Sequence, residues 1–121
     1  MIKVAYEGKN LTIDQQVCSM PYEVREAFAL KDKIIVLIDP NSYLTDPDYS
    51  KERRRGDNPF RNLIALSLDG KAVLWEAEFP DKVDYFYKII SKEPLVVNSF
   101  SSYRCEIDIN TGKIIKKLFY K

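Results

Sequence analysis

Apolar and polar positions alternate along most of this chain, in short runs that end at turn residues. Such runs cover residues 2–7, 11–13, 24–30, 33–39, 63–68, 72–79, 95–100, 103–109 and 113–120. A period of two in runs of this length is typical of β-strands. The pattern therefore predicts a mostly β protein, in which antiparallel strands follow one another through turns of Gly, Asp, Asn and Pro.

Two stretches depart from simple alternation. Residues 34–38 are apolar at every position, which suits a central strand covered on both faces. The same run is too short to cross a bilayer, because a spanning helix needs about 20 residues. Residues 83–91 fit a short helix as well as they fit a strand, and this choice stays open.

A faint repeat relates the two halves of the chain. Asp69-Gly70-Lys71 and Thr111-Gly112-Lys113 lie 42 positions apart, each between two β-rich runs. A period of about 40–45 residues is typical of four-stranded propeller blades. Two blades cannot close a ring, so we predict that residues 24–79 and 84–120 form two four-stranded, blade-like antiparallel sheets packed as a sandwich. Oligomerisation is the alternative way to cover their inner faces.

The N-terminal strands are predicted to form a hairpin, and all 121 residues are too few for two ordinary domains. We therefore predict one β domain over residues 1–121, with at most one short helix. Its single tryptophan, Trp75, follows a tight turn in an alternating strand and is expected to pack between the two sheets. Residues 85–87, rich in aromatic side chains, are also assigned to the core.

Residues 40–60 show no periodicity and hold three of the six prolines. Irregular segments of this length are uncommon in compact domains and are often functional. Tyrosine and arginine, which anchor many protein interfaces, are concentrated here. The predicted partner-binding residues are Tyr43, Asp46, Asp48, Tyr49, Lys51, Arg53, Arg54, Arg55 and Arg61. The alternative is a solvated loop whose charges pair with one another.

Composition removes several chemistries. The chain has no histidine, which excludes His-based acid–base catalysis, Ser-His and Cys-His dyads and imidazole zinc sites. Its net charge of +1 argues against a nucleic-acid binder held by overall charge. It also lacks a Gly-rich phosphate loop and a nucleophile-elbow motif. We predict a protein that is not an enzyme and uses no metal or cofactor, although a Ser-Lys pair stays open.

The N-terminus has recurrent charges and no apolar core of signal-peptide length, so we expect a cytoplasmic protein. Cys18 and Cys105 lie 87 positions apart. In that compartment they are expected to be reduced, buried thiols rather than a disulfide.

Two family resemblances add to these predictions. The segment with Arg61-Asn62-Leu63-Ile64-Ala65-Leu66, Asp69-Gly70-Lys71 and Leu74-Trp75-Glu76 resembles in part the propeller repeat of quinoprotein type. A broader resemblance, over residues 33–115, is to immunity proteins of contact-dependent growth inhibition and related bacterial polymorphic toxin systems. It includes the segments 36–40, 61–66, 74–78, 84–87, 99–105 and 107–113.

The broader resemblance implies an inhibitor that binds the C-terminal domain of one cognate toxin and covers its active site. It implies a monomer alone and a heterodimer with the toxin, without direct contact to nucleic acid or membrane. Inhibitors of nuclease toxins are often acidic, whereas this chain carries +1, so the activity of the toxin stays open. The alternatives are a small enzyme or ligand-binding β domain without a His site, and a truncated propeller module in a larger assembly.

Overall fold

The structure is a computed structural model that describes residues 2–47, 60–82 and 84–120. These residues form one short helix, α1 (Pro40–Leu44), and strands that we number in chain order. The strands are β1 (Val4–Glu7), β2 (Asn10–Ile13), β3 (Gln16–Ser19), β4 (Val24–Leu30), β5 (Lys33–Ile38), β6 (Leu63–Ser67), β7 (Val73–Glu76), β8 (Phe86–Ser91), β9 (Val96–Ser99), β10 (Tyr103–Ile107) and β11 (Ile114–Phe119). The predicted mostly β fold is confirmed.

The strands form three antiparallel sheets, each with its strands in chain order. We call them the N-terminal sheet (β1–β3), the middle sheet (β4–β7) and the C-terminal sheet (β8–β11). The last two are the predicted four-stranded sheets, and they share one apolar core. Each is a simple up-and-down meander because short turns join neighbouring antiparallel strands.

The predicted N-terminal hairpin is extended by a third strand. β3 pairs with β2 from Asn10↔Ser19 to Ile13↔Gln16. The turn between them includes Asp14 at a φ of 55°, a left-handed conformation that Asp tolerates better than most residues. β3 was not predicted, because its residues carry no clear alternation of apolar and polar side chains.

Strand β5 is buried along its whole length, as the all-apolar run predicted. Ile34, Val36 and Ile38 pack in a cluster with side chains of the N-terminal sheet. Ile35 and Leu37 point the other way, into the cluster shared with the C-terminal sheet. The middle sheet is therefore covered on both faces, and the molecule has three layers.

The open choice for residues 83–91 is decided as a strand over residues 86–91, and residue 83 lies outside the described residues. β8 pairs with β9, with Phe86 opposite Ser99 and Ile89 opposite Val97. Phe86 is buried, and Ile89 packs on the shared cluster. Irregular register between these pairs explains why the apolar residues of this run mimic helical spacing.

The short helix lies instead at the start of the segment that was expected to be irregular. Asp39 caps α1, its carboxylate accepting a 3.0 Å hydrogen bond from the Asn41 amide, and Pro40 occupies the first turn. This is the favoured chemistry of a helix start, because Pro needs no amide partner there. Among the described residues, no helix is long and apolar enough to cross a membrane.

Both cysteines are free thiols, as predicted. Cys105 is buried in the cluster between the middle and C-terminal sheets, as predicted, whereas Cys18 was also predicted to be buried and is only half-buried. Burial raises the pKa of the Cys105 thiol to about 11. Cys105 is therefore protonated at neutral pH and behaves as an apolar core side chain.

Trp75 connects the middle and C-terminal sheets, as predicted. Its side chain is buried in their common core, and its indole N–H donates a 2.8 Å hydrogen bond to the carbonyl of Ile109. Gly112 packs against the same ring so closely that a Cβ there would lie 2.7 Å from Cε3 of Trp75. Gly112, the second glycine of the faint repeat, is therefore required at this position because the indole ring leaves no room for a side chain.

We expect Trp75→Ala to lower the free energy of unfolding by about 3–5 kcal/mol, because it removes a buried aromatic side chain and leaves a cavity. Urea denaturation measures the loss. The matched control is Leu74→Ala, whose side chain is 48% exposed and should change stability by less than about 1 kcal/mol. Equal stability losses for the two variants would contradict the assigned packing of Trp75.

Candidate functional site

A cleft of about 430 Å³ opens at one end of the sandwich, where β8 begins and where β9 and β11 end. It collects side chains from the middle sheet, the helix and the C-terminal sheet. Its lining residues are Arg25, Pro40, Asn41, Tyr85, Tyr87, Ser99, Phe100, Ser102 and Tyr120. We call this feature the aromatic cleft, because four of these side chains are tyrosine or phenylalanine.

The rings are held in defined pairs. Phe100 stacks on Tyr85 with ring centroids 5.0 Å apart, and its amide donates to the Tyr85 carbonyl at 2.9 Å. The hydroxyls of Tyr87 and Tyr120 are hydrogen-bonded to each other. Burial, together with that bond, raises the pKa of Tyr120 to about 12, so its phenol stays neutral at physiological pH.

Arg25 supplies the positive charge of the cleft. Its Nη1 donates a 2.8 Å hydrogen bond to the Tyr87 carbonyl, and its Nη2 lies 3.4 Å from a carboxylate oxygen of Asp39. These contacts connect β4 with β8 and with the cap of α1. The guanidinium therefore positions three elements around the cleft and still keeps part of its surface in solvent.

A buried carboxylate shapes the turn that carries Phe100. Asp84 accepts hydrogen bonds from the amides of Tyr85 (2.9 Å) and Ser101 (3.1 Å), and its second oxygen accepts one from the Ser101 hydroxyl. The Ser99 hydroxyl lies 3.0 Å from that of Ser101. These polar groups fix the backbone on both sides of Phe100, which itself is 60% exposed.

Asn62 joins the middle and C-terminal sheets at the same end of the molecule. The side chain is fully buried, and its Nδ2 donates to the carbonyls of Ile38 (3.0 Å) and Phe86 (2.6 Å). Its Oδ1 accepts from the amide of Phe86 at 3.0 Å. One side chain thus satisfies three buried backbone groups, which is the condition for burying polar atoms cheaply.

The structure corrects one predicted partner-binding residue. Tyr43 has no exposed surface, and its ring packs 5.6 Å from Tyr22 and 4.8 Å from Phe60, measured between centroids. It belongs to the core between the N-terminal and middle sheets and offers nothing to a partner. Its neighbours in the sequence are polar and turn-forming residues, which is why an interface anchor was predicted at this position.

The other predicted site residues fall into two groups. Asp46 is half-buried and accepts a 3.3 Å hydrogen bond from the Tyr22 hydroxyl, whereas Arg61 is exposed beside Asn62. The rest lie outside the described residues; they are Asp48, Tyr49, Lys51, Arg53, Arg54 and Arg55. Their predicted role remains a prediction.

Neither the aromatic cleft nor the role of Asn62 was predicted from the sequence. Tyr85 and Tyr87 were assigned to the core, but both are half-buried and line the cleft. The cleft brings together residues from positions 25 to 120, which no local pattern connects. The one sequence feature that could have indicated the role of Asn62 is its position, as a polar residue directly before the apolar strand β6.

The fold and the cleft define a small three-layer β domain with a mixed aromatic and polar recess at one end. Over residues 1–119 the chain matches the family described as "Domain of unknown function (DUF7957)", and it belongs to that family. No curated protein and no solved structure matches the chain. In the described part of the chain, no cluster of three or more Cys, Asp or Glu side chains could hold a metal ion.

We expect Asn62→Ala to lower the free energy of unfolding by about 3 kcal/mol or more, because each buried backbone group that loses its partner costs about 1–3 kcal/mol. Chemical denaturation measures the change. Asn41→Ala, at an exposed position of the cleft, is the control and should stay within about 0.5 kcal/mol of the parent. A stable Asn62→Ala protein would show that the two sheets do not depend on this amide.

Proposed function

We propose that this protein is an immunity protein that binds one cognate bacterial toxin domain and covers its active site. The observation that supports a binding role is the grouping of partly exposed aromatic and arginine side chains around the aromatic cleft, with Phe100 the most exposed of its rings. Tyrosine, tryptophan and arginine are the residues that most often dominate binding energy at protein interfaces. The resemblance to immunity proteins supplies the class of partner.

The cleft is organised before binding. The Asp84 network holds the turn around Phe100, the Tyr87–Tyr120 pair holds two further rings, and Asn62 holds the sheets together. Ordering side chains at an interface costs about 0.5–1.5 kcal/mol for each residue rich in rotamers. Rings that are already fixed avoid much of that cost, which favours a tight and specific complex.

Residues 48–59, which include Arg53, Arg54 and Arg55, follow α1 in the chain and precede Phe60. The chain before them contains α1, whose Pro40 and Asn41 line the cleft, and the chain after them begins with Phe60, which packs on Tyr43 of α1. We propose that their charges steer association with the toxin, because charge pairs at the rim of an interface act mainly on the association rate. The inhibition itself needs no chemistry, only the exclusion of substrate from the toxin.

The proposed place of action is the cytoplasm, where the toxin would meet its inhibitor. The first experiment is co-purification of the tagged chain with the product of the adjacent upstream gene. A stoichiometric complex that abolishes the toxin's activity is expected. Failure of the two purified proteins to associate would overturn the proposal for that pair.

A second candidate function is binding of a small molecule in the aromatic cleft. The cleft volume of about 430 Å³ lies in the usual range for small-ligand pockets, roughly 300–1,000 Å³. Native mass spectrometry of the protein purified from its own host tests this candidate. A bound small molecule that is lost on Phe100→Ala would favour it over the immunity function.

We expect Phe100→Ala to weaken toxin binding by about 2 kcal/mol or more, because a central aromatic anchor is lost. Folding should be nearly unchanged, since the ring is mostly exposed. Titration calorimetry measures the affinity. The control is Val17→Ala, an equally exposed position on the N-terminal sheet, which should bind as the parent does. Loss of affinity in the control alone would move the interface to that sheet.

Replacing residues 48–59 with a Gly-Ser linker should slow association with the toxin and weaken its salt dependence, because the steering charges are removed. The replacement begins after Pro47 because Tyr43 belongs to the core and must be kept. Stopped-flow binding at two ionic strengths measures both effects. A folded variant with the parent's association rate would show that this segment is not the recognition element.

A further inference from the structure

Strand β11 forms the outer edge of the C-terminal sheet. In the described part of the chain it pairs with β10 on one side and with no strand on the other. Residues 115–119 are all exposed, and Ile115, Leu118 and Phe119 are each 60% exposed. Lysines on a free strand edge discourage pairing, and β11 carries Lys116 and Lys117. Three large exposed apolar side chains on the same edge are nevertheless typical of a surface that meets another one.

The backbone of this edge is ready to pair. The amide of Tyr120 donates a 2.8 Å hydrogen bond to the Ser102 carbonyl, so Tyr120 and Ser102 form a hydrogen-bonded pair. Backbone groups alternate in direction along an antiparallel strand. Leu118 and Lys116 therefore turn their amide and carbonyl groups towards β10, whereas Lys117 and Phe119 turn theirs outwards, to an incoming strand.

We propose that β11 pairs with β11 of a second copy of this chain, antiparallel and centred on Leu118. The backbone groups that point away from β10 belong to the odd-numbered residues 117 and 119. When two identical strands pair antiparallel through these groups, the two-fold axis passes beside one residue of each strand, not between two residues. Centring on Lys116 or Lys117 would place two ammonium groups directly opposite each other, which is unfavourable. Centring on Leu118 places Leu118 opposite Leu118, Lys117 opposite Phe119 and Lys116 opposite Tyr120.

The side chains of β11 complement each other in that register. On the face towards the core, the Lys117 ammonium already lies 4.9 Å from the ring centroid of Tyr103, which also contacts Phe119. The second copy brings its own lysine beside this aromatic pair, a favourable cation–π arrangement. On the other face, the two Leu118 side chains bury each other. This self-complementarity favours a second copy over a foreign strand.

The dimer also reaches the aromatic cleft. Tyr120 lines the cleft, and the Leu118-centred register brings Lys116 of the second copy opposite Tyr120. Each cleft would therefore receive a lysine at its rim from the other chain. The inference does not rest on the proposed function, and it proposes a symmetric dimer for the free protein where the resemblance implies a monomer.

Sedimentation velocity over a range of micromolar concentrations tests the association. The parent is expected to dimerise, and Leu118→Glu to weaken the dimer by roughly a hundredfold or more, through lost apolar burial and two opposed carboxylates. Val17→Glu is the matched control because Val17 is 62% exposed on another sheet. A parent that stays monomeric, or a dimer unaffected by Leu118→Glu, would overturn the proposal.

Disulfide trapping tests the register, in a Cys18→Ser background that leaves only buried Cys105. Opposed Cα atoms in a non-hydrogen-bonded pair are about 4.5 Å apart, within disulfide range. Leu118→Cys should therefore cross-link under mild oxidation. Lys116→Cys should not cross-link, because residue 116 of one chain lies opposite residue 120 of the other. The two cysteines would then be four positions, more than about 13 Å, apart along the paired strands. Equal trapping at both positions, or stronger trapping at Lys116, would overturn the Leu118-centred pairing.

Discussion

Burial of β5 on both faces is the constraint on which the rest of the structure depends. A strand without a polar face must be covered by one layer on each side, and a chain of 121 residues can supply only small ones. The N-terminal sheet covers one face and the C-terminal sheet the other. Even the one charged residue of β5, Lys33, is buried, with its ammonium 2.6 Å from the exposed Asp32 carboxylate.

Polar side chains connect the packed layers at two places between the middle and C-terminal sheets. At the first place, the indole N–H of Trp75 donates to the carbonyl of Ile109. At the second place, the side chains of Asn62 and Arg25, on the side of the middle sheet, donate hydrogen bonds to backbone carbonyls of β8 in the C-terminal sheet. The aromatic cleft lies at this second place, because the two sheets and α1 meet there without filling the space between them. The contacts that stabilise the fold therefore also position the candidate site.

The two surfaces that we assign to binding differ in chemistry. The cleft combines fixed aromatic rings with an arginine that is already paired, which suits a specific partner with its own polar groups. The β11 edge carries apolar and lysine side chains, and its outer backbone groups pair with no other strand among the described residues, which suits another strand. Tyr120 takes part in both surfaces, so association at the edge would alter the environment of the cleft.

Local patterns were sufficient to predict the strands of both four-stranded sheets except β8, together with the doubly covered β5 and the burial of Trp75. They were sufficient because alternation, turn residues and uninterrupted apolar runs act over a few neighbouring positions. The role of Asn62 depended on contacts between distant segments. By contrast, β3 lacks a clear alternation although it pairs with its neighbour β2, and α1 begins on a local signal, Asp39 followed by Pro40, within residues that were expected to be irregular. Tyr43 shows the difference most clearly: its local sequence resembles an interface, and only packing against Tyr22 and Phe60 makes it core. The aromatic cleft likewise exists only once the tertiary structure brings β4, α1 and the C-terminal sheet together, because burial and proximity are properties of the folded chain.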